Sequence, residues 1–191
     1  MEKDHVPPAC IFPENNKPNN LLTVKCCKSC HDKFDVLDDR MRNQIAILSG
    51  TKSGEAGEKA MRVLTRSPQL RGEFLSQTKA HPSLVDDQGN PRALFFFDDE
   101  ELEYWLTRIV KGLYFRKFNK VIDPNLDFTI EKLAELSPPP SMSFEMEEGL
   151  EMRPYFVYGL LQKEQSDFWL LIFYDQIVFS VTVDRSQVNA T

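Results

Sequence analysis

The residues that could do chemistry are concentrated at the start of the chain. Asp4 and His5 are adjacent, Asn20 follows the histidine by fifteen residues, and the run Cys27-Lys28-Ser29-Cys30-His31 ends eleven residues after the asparagine. Two of the three histidines and all four cysteines lie within the first 31 residues. Packing alone does not explain such a concentration. We therefore expect any catalytic or metal-binding chemistry to belong to this segment.

Three of these side chains are of the types that phosphodiester hydrolysis needs. A carboxylate and an imidazole, from Asp4 and His31, can bind a divalent cation such as Mg²⁺, which neutralises charge on the phosphate and on the leaving oxygen. His5 is then free to act as the general base that deprotonates the attacking water. Asn20 could hydrogen-bond across its loop and fix the orientation of His5.

The pattern around these residues predicts strand, loop, strand, turn and helix in that order. A proline- and asparagine-rich loop at 13–20 separates a strand near Asp4-His5 from a second strand at 21–24, which indicates a hairpin. After the turn at 27–30, apolar residues at three- and four-residue spacing predict an amphipathic helix that ends near Ser49-Gly50. Its apolar face comprises Phe34, Leu37, Met41, Ile45 and Leu48.

The rest of the chain predicts helices followed by strands. A small, polar linker at 51–57 separates a module of residues 1–50 from a second part, residues 51–191. Helices are expected at about 58–66, at 68–79, and from an N-cap at Asp98 to about Phe118. Aromatic and β-branched runs at 155–161, 168–174 and 177–183 predict an antiparallel β-meander. The expected fold class is α+β.

Composition and charge limit the partners and the cellular site. No run approaches the roughly 18 apolar residues of a membrane span, and the start lacks an apolar signal region, so we expect a soluble, cytoplasmic protein without a membrane partner. Residues 1–80 carry 13 Lys and Arg against 10 Asp and Glu, whereas residues 81–191 carry 10 against 19. The first part could meet phosphates, most simply those of DNA, and the acidic part could bind a protein partner.

The motif also resembles a known family. Asp4-His5, the central Asn20 and C-x-x-C-His at 27–31 are similar to the HNH endonuclease superfamily, whose core is a ββα-metal or treble-clef finger. The opening acid-His-Val-Pro-Pro looks like that of a bacterial group of HNH-type proteins, and the resemblance covers residues 4–50. It implies a metal-dependent nuclease with His5 as general base, Asn20 as the central asparagine, and Asp4 and His31 as ligands of the catalytic metal.

By the same resemblance, Cys27 and Cys30 would be half of a structural zinc site. The family has another C-x-x-C before the Asp-His pair, and in this sequence only residues 1–3 precede it. A tetrahedral zinc site needs four ligands. Three alternatives follow: the sequence begins late, packing holds the finger without zinc, or Cys10 or Cys26 completes the site.

Two other functions remain open at this point. One is a non-catalytic binding protein that keeps a degenerate finger and uses its acidic C-terminal part for a protein partner. The other is a redox or zinc-sensing module built on Cys27 and Cys30. The basic residues of the first module either form an ordinary solvated face or position phosphates, and they are Lys25, Lys28, Lys33, Arg40 and Arg42.

Overall fold

The structure is a computed structural model that describes residues 1–19, 21–50, 54–85, 89, 91–123, 126–133, 145–146 and 152–186. Across these ranges the fold is α+β, as the sequence predicts, with helices and antiparallel sheets. The elements are β1 (Glu2–Val6), β2 (Leu22–Cys26), α1 (Lys28–Leu48), α2 (Glu55–Arg66), α3 (Pro68–Ser76), β3 (Thr78–Val85), β4 (Pro91–Phe95), α4 (Asp99–Phe118), β5 (Phe128–Leu133), β6 (Glu145–Met146), β7 (Phe156–Gln162), β8 (Ser166–Phe173) and β9 (Ile177–Asp184).

The N-terminal elements form the predicted ββα unit. Strands β1 and β2 pair antiparallel, with Asp4 opposite Val24 and His5 opposite Thr23. The connecting loop contains two short 3-10 turns, Ala9–Ile11 and Glu14–Asn16. Helix α1 begins within the predicted 27–30 turn, because the thiol of Cys27 already caps its first turn. The hairpin is therefore joined to the helix without an intervening loop.

The middle of the chain differs from the prediction in two places. Helix α2 begins at Glu55, so the last residues of the predicted linker are helical, while residues 51–53 lie outside the described part of the chain. Helix α3 ends at Ser76 instead of the predicted 79. Strand β3 pairs with β4 in a hairpin that the sequence pattern did not predict. Residues 86–88 and 90, between these two strands, lie outside the described part of the chain.

The C-terminal part is an antiparallel sheet with strand order β5-β9-β8-β7-β6. Strands β7, β8 and β9 follow one another as the predicted meander, and β5 adds to its β9 edge. Trp169, Phe173 and Phe179 on β8 and β9 are fully buried. Side chains alternate across a strand, so this aromatic face forms one wall of the core.

Helix α4 connects the sheet with the ββα unit. Asp98 caps the helix by accepting a hydrogen bond from the backbone N–H of Glu101 at 3.0 Å, and acidic residues in the first turn favour this end of the helix dipole. Trp105 is fully buried and its ring lies 5.2 Å from that of Phe173. Leu37, Met41 and Ile45 of α1 belong to the same hydrophobic cluster, so residues 1–50 and 51–191 share one core.

Strand β1 lies directly against α4. Val6 is 2% exposed, and a Cβ built at Gly112 would lie only 2.6 Å from one of its methyl carbons. Real Cβ atoms do not approach so closely, so a side chain at position 112 would displace the strand. Because glycine has no side chain at position 112, the strand that carries Asp4 and His5 can pack directly on the central helix.

Candidate functional site

Asp4 and His5 are neighbours in sequence but lie on opposite faces of β1, because side chains alternate along a strand. Asp4 points with Val6 towards the core and is 5% exposed. His5 is half-buried on the other face. The resemblance assigns the two residues to one reaction centre, and in this structure they have different environments.

The Asp4 carboxylate is held by Arg108 of α4. Arg108 donates from Nη1 to Asp4 Oδ2 at 3.2 Å and from Nη2 to Oδ1 of Asp38 on α1. The indole N–H of Trp105 donates to the same Asp38 oxygen at 2.7 Å, and the ring of Phe34 lies 4.3 Å from the guanidinium carbon. All three charged side chains are about nine-tenths buried or more. One cation thus joins β1, α1 and α4.

Two buried carboxylates share this single guanidinium. Burial is the main reason that the pKa of Asp38 rises to about 6, and the negative charge of Asp4 adds to it, while Arg108 and Trp105 act in the opposite direction. Neighbouring carboxylates disfavour each other's ionised form. The network therefore depends on Arg108 for its charge balance.

The environment of His5 keeps its imidazole neutral at physiological pH. Burial lowers the pKa of His5 below its ordinary value of 6.5, and the electrostatic effects of Lys17 and His31 lower it further against the opposing effect of Asp4. A general base must be unprotonated to accept a proton. His5 therefore has the protonation state that the proposed reaction needs.

His31 lies in the first turn of α1, in electrostatic reach of His5. Its Nε2 is 3.7 Å from a carboxylate oxygen of Asp35, one turn along the helix. Its Nδ1 is buried and has no hydrogen-bond partner among the described residues. A nitrogen of this kind is free to form a hydrogen bond or to bind a metal ion.

The predicted ligand pair for the catalytic metal does not fit a cation as it is arranged. The free Nδ1 of His31 suits a metal ligand, but the Asp4 carboxylate is engaged by Arg108 and would have to leave it. In the part of the chain that is described, no group of three or more His, Cys, Asp or Glu side chains is placed to hold a metal. Asn20, the predicted central asparagine, lies outside the described residues.

Cys27 and Cys30 lie together at the start of α1. The thiol of Cys27 accepts a hydrogen bond from the backbone N–H of Cys30 at 3.2 Å and lies 3.2 Å from the hydroxyl of Ser29. Hydrogen bonding from the Cys30 thiol, followed by that from Ser29, lowers the pKa of Cys27 to about 7. Cys10 and Cys26 do not complete a set of three possible ligands with this pair among the described residues.

The basic residues of the first module divide into two groups. Lys25, Lys28 and Lys33 are exposed and could meet phosphates. Arg40 instead pairs with Glu101 of α4, and Arg42 is buried and donates to Asp39 at 3.0 Å. The prediction of an ordinary solvated face is therefore wrong for Arg42, and Arg40 is engaged in an ion pair.

Arg108 is not among the site residues predicted from the sequence, although the chain carries a signal for it. It lies three residues after Trp105, so the two side chains share one side of α4. A charged residue next to fully buried Trp105 and Ile109 needs a buried counter-charge. The signal shows that a partner is required but does not identify it.

Comparison of the chain with protein-family models, with curated proteins and with solved structures gave no match. Among the described helices, none combines the length and the apolar character that crossing a bilayer requires. Any assignment of function therefore rests on the arrangement of the residues themselves.

Proposed function

We propose that this protein is an HNH-type endonuclease that hydrolyses phosphodiester bonds of nucleic acid, with His5 as the general base. One observation supports the proposal: the β1–β2 hairpin and the first turn of α1 bring a neutral, half-buried His5 within electrostatic reach of His31. His5 would take a proton from a water molecule as the water attacks phosphorus. The bond from phosphorus to the leaving oxygen would then break.

The nearby charges suit a nucleic-acid substrate, and DNA is the simplest choice. Lys25 on β2 and Lys28 and Lys33 on α1 are exposed close in sequence to His31. Each could contact a backbone phosphate, which would give weak binding that falls as salt increases. The four cysteines are free thiols, which suits the cytoplasm as the proposed location.

The two metal sites stay predictions. A divalent cation at Asp4 and His31 requires Asp4 to leave Arg108. A structural zinc at Cys27 and Cys30 requires two more ligands. The roles proposed for the chain's own residues are therefore limited to proton transfer by His5 and phosphate contacts by the lysines.

The pair between Asp4 and Arg108 favours a second candidate function, a non-catalytic binding protein. The carboxylate that the resemblance assigns to a metal is used inside the fold, as expected if the finger is degenerate. Residues 81–191 carry 19 acidic against 10 basic residues and would supply the surface for a protein partner.

Nicking of supercoiled plasmid DNA separates the two functions. The full chain is incubated with plasmid in Mg²⁺, in Mn²⁺ and in EDTA, and its DNA affinity is measured by fluorescence anisotropy. The nuclease proposal predicts nicking that requires a divalent metal. Folded protein that nicks no DNA under any of these conditions would support the binding protein instead.

A further inference from the structure

A cavity of about 370 Å³ opens between the loop that follows β1, helix α1 and helix α2. Helix α1 contributes Arg42 to the lining of this cavity. Arg42 lies eleven residues after His31, and eleven residues of helix span roughly 16 Å. The cavity is therefore distinct from the His5 and His31 site, and its possible role does not depend on His5 acting as a base.

The charge of the lining is positive, although the whole chain has a net charge of -6. Four basic residues and two acidic residues line the cavity: Arg42, Lys59, Arg62, Arg66, Glu14 and Glu55. Lys59, Arg62 and Arg66 recur at three- and four-residue spacing, which places them on one side of α2. None of these three forms an ion pair with a residue in the described ranges, so their charges are available to a ligand.

Arg42 supplies a second and independent observation. Its side chain is 4% exposed. Among the described residues it forms one ion pair, from Nη2 to Asp39, and the Asp39 side chain is 67% exposed. The Nε atom is buried and has no hydrogen-bond partner in the described part of the chain. Buried polar groups are nearly always hydrogen-bonded, and an unsatisfied donor is destabilising. An anion in the cavity would balance this guanidinium.

We propose that this cavity binds the phosphate group of a ligand, with Arg42 at its buried side and the basic residues of α2 at its rim. A phosphate monoester is a dianion near neutral pH, which matches the excess of two positive charges in the lining. The planar guanidinium of arginine fits phosphate geometry well. The volume lies at the lower end of small-molecule sites, so a ligand larger than phosphate itself can enter.

Isothermal titration of the full chain tests the proposal, with a 5′-mononucleotide, the matching nucleoside and inorganic phosphate as probes. We expect the mononucleotide to bind at least tenfold more tightly than the nucleoside, and inorganic phosphate to compete with it. Arg62→Gln and Arg66→Gln should each weaken binding by tenfold or more, because each removes a charge-assisted hydrogen bond. Arg71→Gln, an exposed residue on α3 outside the lining, is the control and should change nothing.

A second arm identifies the source of the phosphate. Single-stranded oligonucleotides with a 5′-phosphate or a 5′-hydroxyl are titrated in the same way. Tighter binding of the phosphorylated strand, lost in Arg66→Gln, would assign the cavity to a nucleic-acid end. Binding of the mononucleotide alone would assign it to a small phosphorylated molecule. The proposal is overturned if phosphate adds nothing to affinity for either probe, or if Arg62→Gln, Arg66→Gln and Arg71→Gln bind alike.

Discussion

Arg108 donates a hydrogen bond to Asp4 at 3.2 Å across 104 residues of sequence. This contact links β1, the strand that carries His5, to α4, the central helix of the fold. It also gives the Asp4 carboxylate a structural partner at the position where the HNH resemblance implies a metal ion. The same guanidinium holds Asp38, so Arg108 is the cation on which two buried carboxylates depend.

Replacing Arg108 with glutamine should therefore destabilise the protein strongly. Asp4 and Asp38 would both remain buried without a counter-charge. Removing one partner of a buried ion pair typically lowers the free energy of unfolding by about 3 to 5 kcal/mol. Urea unfolding followed by circular dichroism measures it. Arg40→Gln removes the ion pair between Arg40 and Glu101. Both side chains of that pair are about one-third exposed, so the free energy of unfolding should fall by about 1 kcal/mol or less. Equal losses for the two variants would show that Asp4 and Asp38 do not depend on Arg108.

The approach of Val6 to Gly112 leads to a second prediction. Alanine is a better helix former than glycine by about 1 kcal/mol, yet Gly112→Ala should destabilise the protein by about 1 to 3 kcal/mol, because its Cβ overlaps Val6. Gly72→Ala on α3 is the matched control, since nothing lies within 4 Å of its added Cβ. It should be neutral or stabilising. Thermal unfolding of both variants tests this prediction. A Gly112→Ala variant more stable than the unaltered chain would contradict the close packing of β1 on α4.

The sequence predicts those parts of the fold whose signals are local. Three signals each lie within one short stretch of sequence: the apolar spacing of α1, the acidic cap of α4 and the aromatic runs of β7–β9. The sequence predicts all of these elements correctly. The hairpin β3–β4 was not predicted, because Pro82 within β3 weakens the local strand signal. The edge strand β5 was not predicted, because its pairing partner β9 is distant in sequence, with Phe128 opposite Val183. The same reason hid the partner of Asp4: the motif identifies the carboxylate, whereas its cation lies on a helix about a hundred residues later.

The thiol of Cys27 should react faster than the other thiols near neutral pH. Its pKa of about 7 makes it largely thiolate at pH 7.5, whereas burial raises the pKa of Cys10 to about 12. Iodoacetamide labelling followed by peptide mass spectrometry should modify Cys27 well before Cys10. Cys30→Ala removes the main hydrogen bond to Cys27 and should slow its labelling. A Cys27 that titrates near 9 would contradict this arrangement, and protection of Cys27 by added zinc would support the predicted zinc ligands.

The pH dependence of cleavage should carry the signature of His5. Its pKa is lowered, so the imidazole is protonated only in more acidic solution and is ready to accept a proton at pH 7. As the pH falls through this lowered pKa, kcat/KM should decrease, with an acid-side apparent pKa below 6.5. An acid limb centred above 6.5 would indicate that another group is the base. The profile is measured from initial rates of plasmid nicking at constant ionic strength.

The most direct test of the proposed function is the nicking rate of His5→Ala compared with that of the unaltered chain, in parallel preparations. Loss of a general base should lower cleavage by about 10² to 10⁴-fold, with DNA affinity and thermal stability nearly unchanged. Thr23→Ala, which changes the residue opposite His5 in the hairpin without removing a base, should keep the rate within a few-fold. Equal cleavage by His5→Ala and the unaltered chain, or parallel loss of binding and cleavage, would contradict the assignment of His5 as the catalytic base.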